Sequence, residues 1–238
     1  MLNRLRRLPR RAIIMACAAL PVGALGVWAL GQRNSTPIEV ATLPPPSGPL
    51  RVYHLGHSLV GADIPYLLAQ FAGEGHRYNV QRGSGTSLRA HWEEDEPILD
   101  FEKVNAVPIW RAPKDALATQ DYGAVIFTEM VELRDAIKYF DAAHYLNLWA
   151  DLARKGNPNA RLYLYETWHR LDDPDGWLAR IDKDLDALWL GELTAKDDRT
   201  ANGQLLYLIP GGQVLAAITR AAEAGGIPGL TDRNALFD

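Results

Sequence analysis

A serine flanked by two glycines, in the stretch Gly56-His57-Ser58-Leu59-Val60-Gly61, is the residue of this chain whose setting most invites chemistry. A serine hydroxyl attacks a carbonyl carbon when a base takes its proton and fixed donors hold the oxyanion that forms. Two further loops could supply donors. Gly83-Ser84-Gly85 offers backbone N–H groups left accessible by glycine, and Thr128-Glu129 offers polar side chains at a strand end. A threonine hydroxyl can donate, whereas a charged Glu129 cannot and would repel an oxyanion. The candidate bases are histidines: His57 beside the serine, His91 in "GTSLRAHW" and His169 in "YLYETWHR". His57 adjoins Ser58, and neighbouring side chains in a turn diverge, so a substrate-facing place suits it better than that of the base. His54 and His57 form a His-x-x-His pair with Asp63 nearby, but a strand running into a turn does not put i and i+3 on one face. No metal site is expected. Neither a phosphate loop nor a dinucleotide glycine fingerprint is present, and no cofactor is expected.

The elements that must position these residues follow from periodicity. Arg51 to Leu55 reads as a strand, and Ile64, Leu67, Leu68, Phe71 and Ala72 fall at helical spacing, so Ser58 belongs to a tight strand-to-helix turn. Tyr78 to Gln81 is a short strand leading into the glycine loop, with a helix starting near Ser87. Ala124 to Phe127 is a buried-type strand, and Tyr139 to Arg154 an amphipathic helix stopped by Gly156-Asn157-Pro158. Arg161 to Tyr165 is a strand. Asp173-Pro174 opens a helix whose face carries Trp177, Ile181, Leu185, Leu188 and Trp189, with the proline at its first position. Leu205 to Ile209 is a strand and Gln213 to Ala224 a helix. Strands separated by helical segments predict a mostly parallel sheet covered on both faces, a three-layer α/β/α sandwich. Loops after parallel strands gather at one edge, which brings the Ser58, Gly85 and Thr128-Glu129 loops together.

Gly56-His57-Ser58-Leu59 is similar to the Gly-Asp-Ser-Leu nucleophile block of the SGNH, or GDSL-type, hydrolase superfamily, with His57 in place of aspartate. Gly85 resembles the glycine of that family's second block, and "AVIFTEM" stands where the third block belongs. Ser87, Leu88, His91 and Trp92, and residues 163 to 170, resemble a diverged bacterial branch. The resemblance covers residues 51 to 238. It implies a flavodoxin-like arrangement of the sandwich, Ser58 as nucleophile, and an oxyanion hole from Ser58, Gly85 and Thr128, the last standing where the family has asparagine or glutamine. His57, His91, Glu129 and His169 are then substrate-facing candidates. The family also implies a late Asp-x-x-His block carrying the base. No histidine follows His169, and Asp232 and Asp238 lack one three residues on. The expectation is a domain over residues 50–238 that lacks its C-terminal end, is a poor catalyst as it stands, and leaves apolar surface uncovered near the last strand and helix.

The remaining composition bounds the setting. The chain has 238 residues, 47% hydrophobic and 23% charged, ordinary for one globular domain. A net charge of −4 gives no support to a nucleic-acid partner. Arg4, Arg6, Arg7, Arg10 and Arg11 precede an uncharged run from Ala12 to Leu30, the pattern of a secretory signal or, uncut, of an N-terminal membrane anchor. Residues 1–31 are expected to direct the rest outward, to the periplasm or another extracytoplasmic place, with residues 32–49 a proline-rich linker. The sole cysteine, Cys17, lies in the apolar run, so the exported part has no thiol chemistry. Taken with export, the resemblance to the SGNH hydrolases implies an exported esterase or deacylase acting on an acyl ester, of a small molecule or an acylated glycan or other envelope component. The alternatives are an O-acyltransferase using the same site and a non-catalytic envelope binding domain.

Overall fold

A computed structural model describes residues 43–194 and 206–237. The apolar run over residues 12–30 and most of the linker lie outside the described residues. Among those described, no helix is long and apolar enough to cross a membrane.

Five strands, β1 (Arg51–His57), β2 (Arg77–Gly83), β3 (Ala124–Phe127), β4 (Arg161–Tyr165) and β5 (Leu206–Ile209), form one sheet in the order β2-β1-β3-β4-β5. Every pairing is parallel. The helices are α1 (Asp63–Ala72), α2 (Leu88–Trp92), α3 (Phe101–Asn105), α4 (Pro113–Leu117), α5 (Leu133–Tyr139), α6 (Ala142–Gly156), α7 (Trp177–Asp184) and α8 (Gly211–Glu223). Helix α7 runs on through wider π-helical turns over Leu185–Leu193.

Alternation along the strands decides the layers, because successive side chains point to opposite faces. Tyr53, Leu55, Val125, Phe127, Leu162, Leu164 and Leu206 form one continuous core with Leu88 of α2, Leu117 of α4, Leu133 of α5, Leu146 and Trp149 of α6, and Trp189. Trp149 is at the centre: fully buried, edge-on to Trp92 at 4.8 Å, and donating its indole N–H to the Leu88 carbonyl at 3.0 Å. Replacing Trp149 by alanine is therefore expected to cost about 3–5 kcal/mol. Urea unfolding measures it, and a loss below about 1 kcal/mol would contradict the central place given to this ring.

The opposite face is covered more thinly. Val52, Ala124, Ile126 and Tyr163 there border a groove of about 560 Å³ closed by Pro46–Leu50 and by Leu68 and Ala72 of α1. Toward β5, Tyr165 and Ile209 meet Val214, Leu215 and Ile218 of α8. Helices thus flank both faces, and the expected α/β/α sandwich with a parallel sheet is present. The helical spacing of Leu67, Leu68 and Phe71 places them on α1 as expected, but they stay exposed, Phe71 at 85%. Val214 and Ile218 of α8 are also exposed.

Two predicted helices differ in their limits. The segment starting at Tyr139 is broken by Asp141, at φ 51°, so that α5 ends and α6 begins there. Asp173-Pro174 does not open α7. The Asp173 carboxylate accepts from the Asp175 N–H and from Arg180, and the chain turns through Gly176, at φ 86°, before the helix begins at Trp177.

Candidate active site

The carboxyl ends of β2, β1 and β3 carry the three loops singled out by the sequence. Ser58 directly follows β1 and is exposed. Gly85 lies just beyond β2, exposed, at φ 58°, with no atom within 4 Å of the place a Cβ would take. The register pairs His57 with Gly83 and Leu55 with Phe127, so Ser58, Ser84 and Thr128 stand at neighbouring levels of one edge. Among the described residues, neither the Ser58 nor the Gly85 backbone N–H donates to a protein acceptor. The glycine loop is held from behind: Ser84 N–H donates to the Leu99 carbonyl at 2.9 Å, Ser84 Oγ to Asp100 at 2.6 Å, and Arg82 N–H to Asn105 Oδ1 at 3.0 Å. Beside it opens a cleft of about 480 Å³ lined by Gly85, Ser87, Arg89, Leu99, Met130 and Phe140 among others.

Gly56 lets the nucleophile strand and the third loop approach. A Cβ on it would stand 2.6 Å from Thr128 Cβ, inside any allowed contact. Thr128, expected to complete the oxyanion hole, is instead fully buried against Gly56, its hydroxyl without a partner and closed off from the exposed edge, and its N–H donates to the Leu55 carbonyl at 2.9 Å. A Gly56→Ala chain must push β1 and the Thr128 loop apart, at an expected cost of about 1–3 kcal/mol. Unfolding at fixed pH checks this, and unchanged stability would show that the contact relaxes freely.

The histidines are placed otherwise than expected. His57 turns inward and is fully buried. Its Nε2–H donates to the Glu129 carbonyl at 2.7 Å, and its Nδ1 accepts the Leu59 N–H at 3.3 Å. Burial pushes its pKa down to about 4, so the ring is neutral and serves as a tie between the first and third loops. It does not face substrate. His91 is buried too. Its Nε2–H donates to the Gly56 carbonyl at 2.9 Å and its Nδ1 accepts from Gln81 at 3.1 Å, with the pKa pushed by burial to about 4. Both nitrogens are engaged, so His91 fixes the backbone under Ser58 and is neither base nor substrate contact. His169 lies beyond β4, 7% exposed, with Nε2 3.2 Å from Asp184. Burial and Arg180 lower its pKa. No hydrogen bond joins the Ser58 hydroxyl to any of these rings among the described residues.

His169 belongs to a separate ion network. Arg180, 3% exposed, reaches Glu132 at 2.8 Å, Asp173 at 2.7 Å and Asp184 at 2.7 Å. The Arg180 hydrogen bonds hold the Glu132 carboxyl down at about 2. Donor atoms of Glu132, His169 and Asp173 lie within 4.8 Å of one another, a spacing a metal ion could use. The guanidinium already supplies the cation there and ties the loops after β3 and β4 to α7.

Glu129 is the residue whose role was least legible from the residues around it. It is 1% exposed rather than substrate-facing, and its Oε1 accepts the N–H groups of Met130 at 2.7 Å and Leu88 at 3.2 Å. Its Oε2 is buried without a partner. Burial pushes its pKa up to about 7, with the two N–H bonds opposing. At neutral pH much of it is uncharged, so the expected repulsion of an oxyanion does not hold for its neutral form.

No family model matches this chain, and no curated protein does. Among solved structures, similarity extends to a carbohydrate esterase family 2 enzyme with a carbohydrate-binding domain from Corynascus thermopiles (Myceliophthora fergusii). The identity is 17%, over 78% of this chain and 69% of that one, with a TM-score of 0.38.

Proposed function

We propose that this chain is an exported SGNH-like serine esterase or deacylase, with Ser58 as nucleophile and the Ser58 and Gly85 N–H groups as oxyanion donors. One observation carries the reading: an exposed serine directly follows a central parallel strand, and the exposed Gly85 lies on the loop after the neighbouring strand, one residue beyond the level of Ser58 in the register. The Ser58 oxygen adds to the ester carbonyl, its proton passes to a base, and the carbonyl π pair becomes an oxyanion held by the two N–H groups. Collapse breaks the ester C–O bond and the leaving oxygen takes a proton. Water then releases the acyl group as a carboxylic acid. With an alcohol in place of water the same site is an O-acyltransferase. The cleft beside Gly85, whose lining does not include Ser58, has apolar walls in Leu99, Met130 and Phe140 and a polar side in Ser87 and Arg89. The acyl part of a small ester or an acylated glycan would reach it from Ser58 only across the Gly85 loop. The basic residues before the Ala12–Leu30 run support export and attachment at a membrane surface.

A second reading is a non-catalytic SGNH-like binding domain. It is favoured by the engagement of His57 and His91 at both nitrogens and of His169 by Asp184. Hydrolysis of an aryl acetate by the purified full chain separates the two. Turnover above the buffer rate that is lost in Ser58→Ala supports the esterase, and none over pH 6 to 9 together with no fluorophosphonate adduct on Ser58 supports the binding domain.

A further inference from the structure

We propose that the apolar side of α1, with the groove beside it, beds into a phospholipid bilayer. This rests on the membrane attachment proposed above and adds a second contact to it, made by the folded domain. The helix itself raises the need for a cover. In α1 only Asp63 carries a charge and only Gln70 an amide. A helix this apolar on most sides is ordinarily buried. Here Pro65 is its one buried residue. Tyr66 is 54% exposed, Leu67 48% and Phe71 85%. On the side toward the sheet, Leu68 and Ala72 line the groove of about 560 Å³. None of the described residues lining that groove is Asp, Glu, Lys or Arg, and burial lowers the pKa of His76, which is neutral at pH 7. Helix and groove make one uncharged apolar face.

Three observations choose lipid as the occupant. First, the linker enters the domain at this face. Pro46–Leu50 close the groove, Pro49 lies so near Gly75 that a Cβ there would stand 2.8 Å from it, and the Arg77 N–H donates to the Leu50 carbonyl at 3.1 Å. Gly75 follows α1 closely, so the linker and the Phe71 end of the helix are neighbours. At most about 45 Å of extended chain lies between Leu30, which ends the uncharged run, and Leu43, where the described residues begin. A membrane that takes up the run is within reach of this face. Second, the patch is small for a protein partner. Tyr66, Leu67, Leu68 and Phe71, exposed as they are, offer roughly 400 Å². A standard protein–protein interface takes about 800 Å² from each partner. Third, the residue types suit the boundary between headgroups and acyl chains, where aromatic rings collect. Tyr66 keeps its hydroxyl among the headgroups while Leu67 and Phe71 enter. The nearest charges along the chain, Asp63 and Glu74, are acidic and exposed, so anionic lipid adds nothing and salt should not release the contact.

The test uses the full chain reconstituted with phosphatidylcholine vesicles. Cys17→Ser removes the sole cysteine. A nitroxide spin label is then placed through Leu67→Cys on α1 or, as a control, through Lys155→Cys, exposed on α6. Flotation with the vesicles reports attachment of the chain. Collisions of the label with oxygen, which favours lipid, and with a nickel chelate, which stays in water, report its depth. The label on α1 should sit about 5–10 Å inside the headgroup boundary, at low and high salt alike. The label on α6 should stay in water. Adding Phe71→Asp should return the α1 label to water without loss of flotation, and a side chain so exposed can be changed without harm to the fold. A chain that floats with its α1 label in water overturns the inference and leaves the attachment standing. Dipolar broadening between the α1 labels of two chains would put a second copy on this face and overturn it as well. A chain that does not float overturns the attachment, and this inference with it.

Discussion

Ester hydrolysis by this chain is expected to be slow, because His57, His91 and His169 are engaged away from Ser58. Ser58→Ala is expected to bring whatever turnover there is down to the buffer rate, since removing a nucleophile leaves only what binding and the oxyanion donors provide. The fold should not notice. Ser58 is exposed, and its hydroxyl makes no hydrogen bond among the described residues, so the substitution removes no contact and opens no cavity. Unfolding free energy should stay within about 0.5 kcal/mol of wild type, as for surface changes generally. That combination, activity gone and stability kept, separates a nucleophile from a structural serine. Equal turnover by wild type and Ser58→Ala would mean that another group does the chemistry.

Acid should unfold this protein well before its carboxylates are all protonated. His54, His57 and His91 are buried with pKa values pushed down to about 3, 4 and 4, chiefly by burial. In the unfolded chain each titrates near 6.5. Below that pH the unfolded state takes up protons that the folded state refuses. The stability is therefore intact above pH 6.5 and lost as pH falls toward 4, by about 1.4 kcal/mol for each unit of separation, or roughly 3 kcal/mol per ring. Glu129 works the other way. Its raised pKa means that the folded state holds a proton the unfolded state has released, so it destabilises above about pH 7 and gives back roughly 3 kcal/mol as pH falls to 4.5. Three losses against one gain leave a net fall of about 6 kcal/mol, comparable to the whole stability of an ordinary domain. Urea midpoints at pH 7.5, 6, 5 and 4.5 measure this. His54 offers a control, because neither of its ring nitrogens has a partner. His54→Leu loses no hydrogen bond, should be more stable than wild type at pH 5, and should show a shallower acid slope by about one proton. A flat profile from pH 7.5 to 4.5 would contradict the burial assigned to these rings.

The positions of the loops were legible in the sequence because they follow from local rules. Alternation in β1, the apolar runs in β3 and β4, and the helical spacing after each give parallel strands whose following loops share an edge, and Ser58 and Gly85 are there. What the histidines do was not legible. The acceptor of His57 is the carbonyl of Glu129, far along the chain, and that of His91 is the carbonyl of Gly56. Nothing in the residues around His57 or His91 tells a ring that ties two loops from one that meets a substrate. Glu129 was misread for a related reason. Its charge at neutral pH depends on burial and on two N–H donors, one of them from another loop, and a sequence alone shows only a carboxylate after a strand. The α1 stripe marks a third limit: periodicity shows which side of a helix is apolar, and whether anything covers it depends on the rest of the fold. At Asp173 the carboxylate does make a local bond, to the Asp175 N–H, but the chain turns through Gly176 before α7 begins at Trp177, so the helix start lies three residues beyond the proline that marked it.

Mass-spectrometric mapping of the fluorophosphonate adduct on the folded full chain at pH 7.5 tests the central claim most directly. The account predicts one adduct, on Ser58, absent from Ser58→Ala and absent after denaturation in urea. An adduct on a different residue, or none on a chain that unfolds cooperatively, would contradict it.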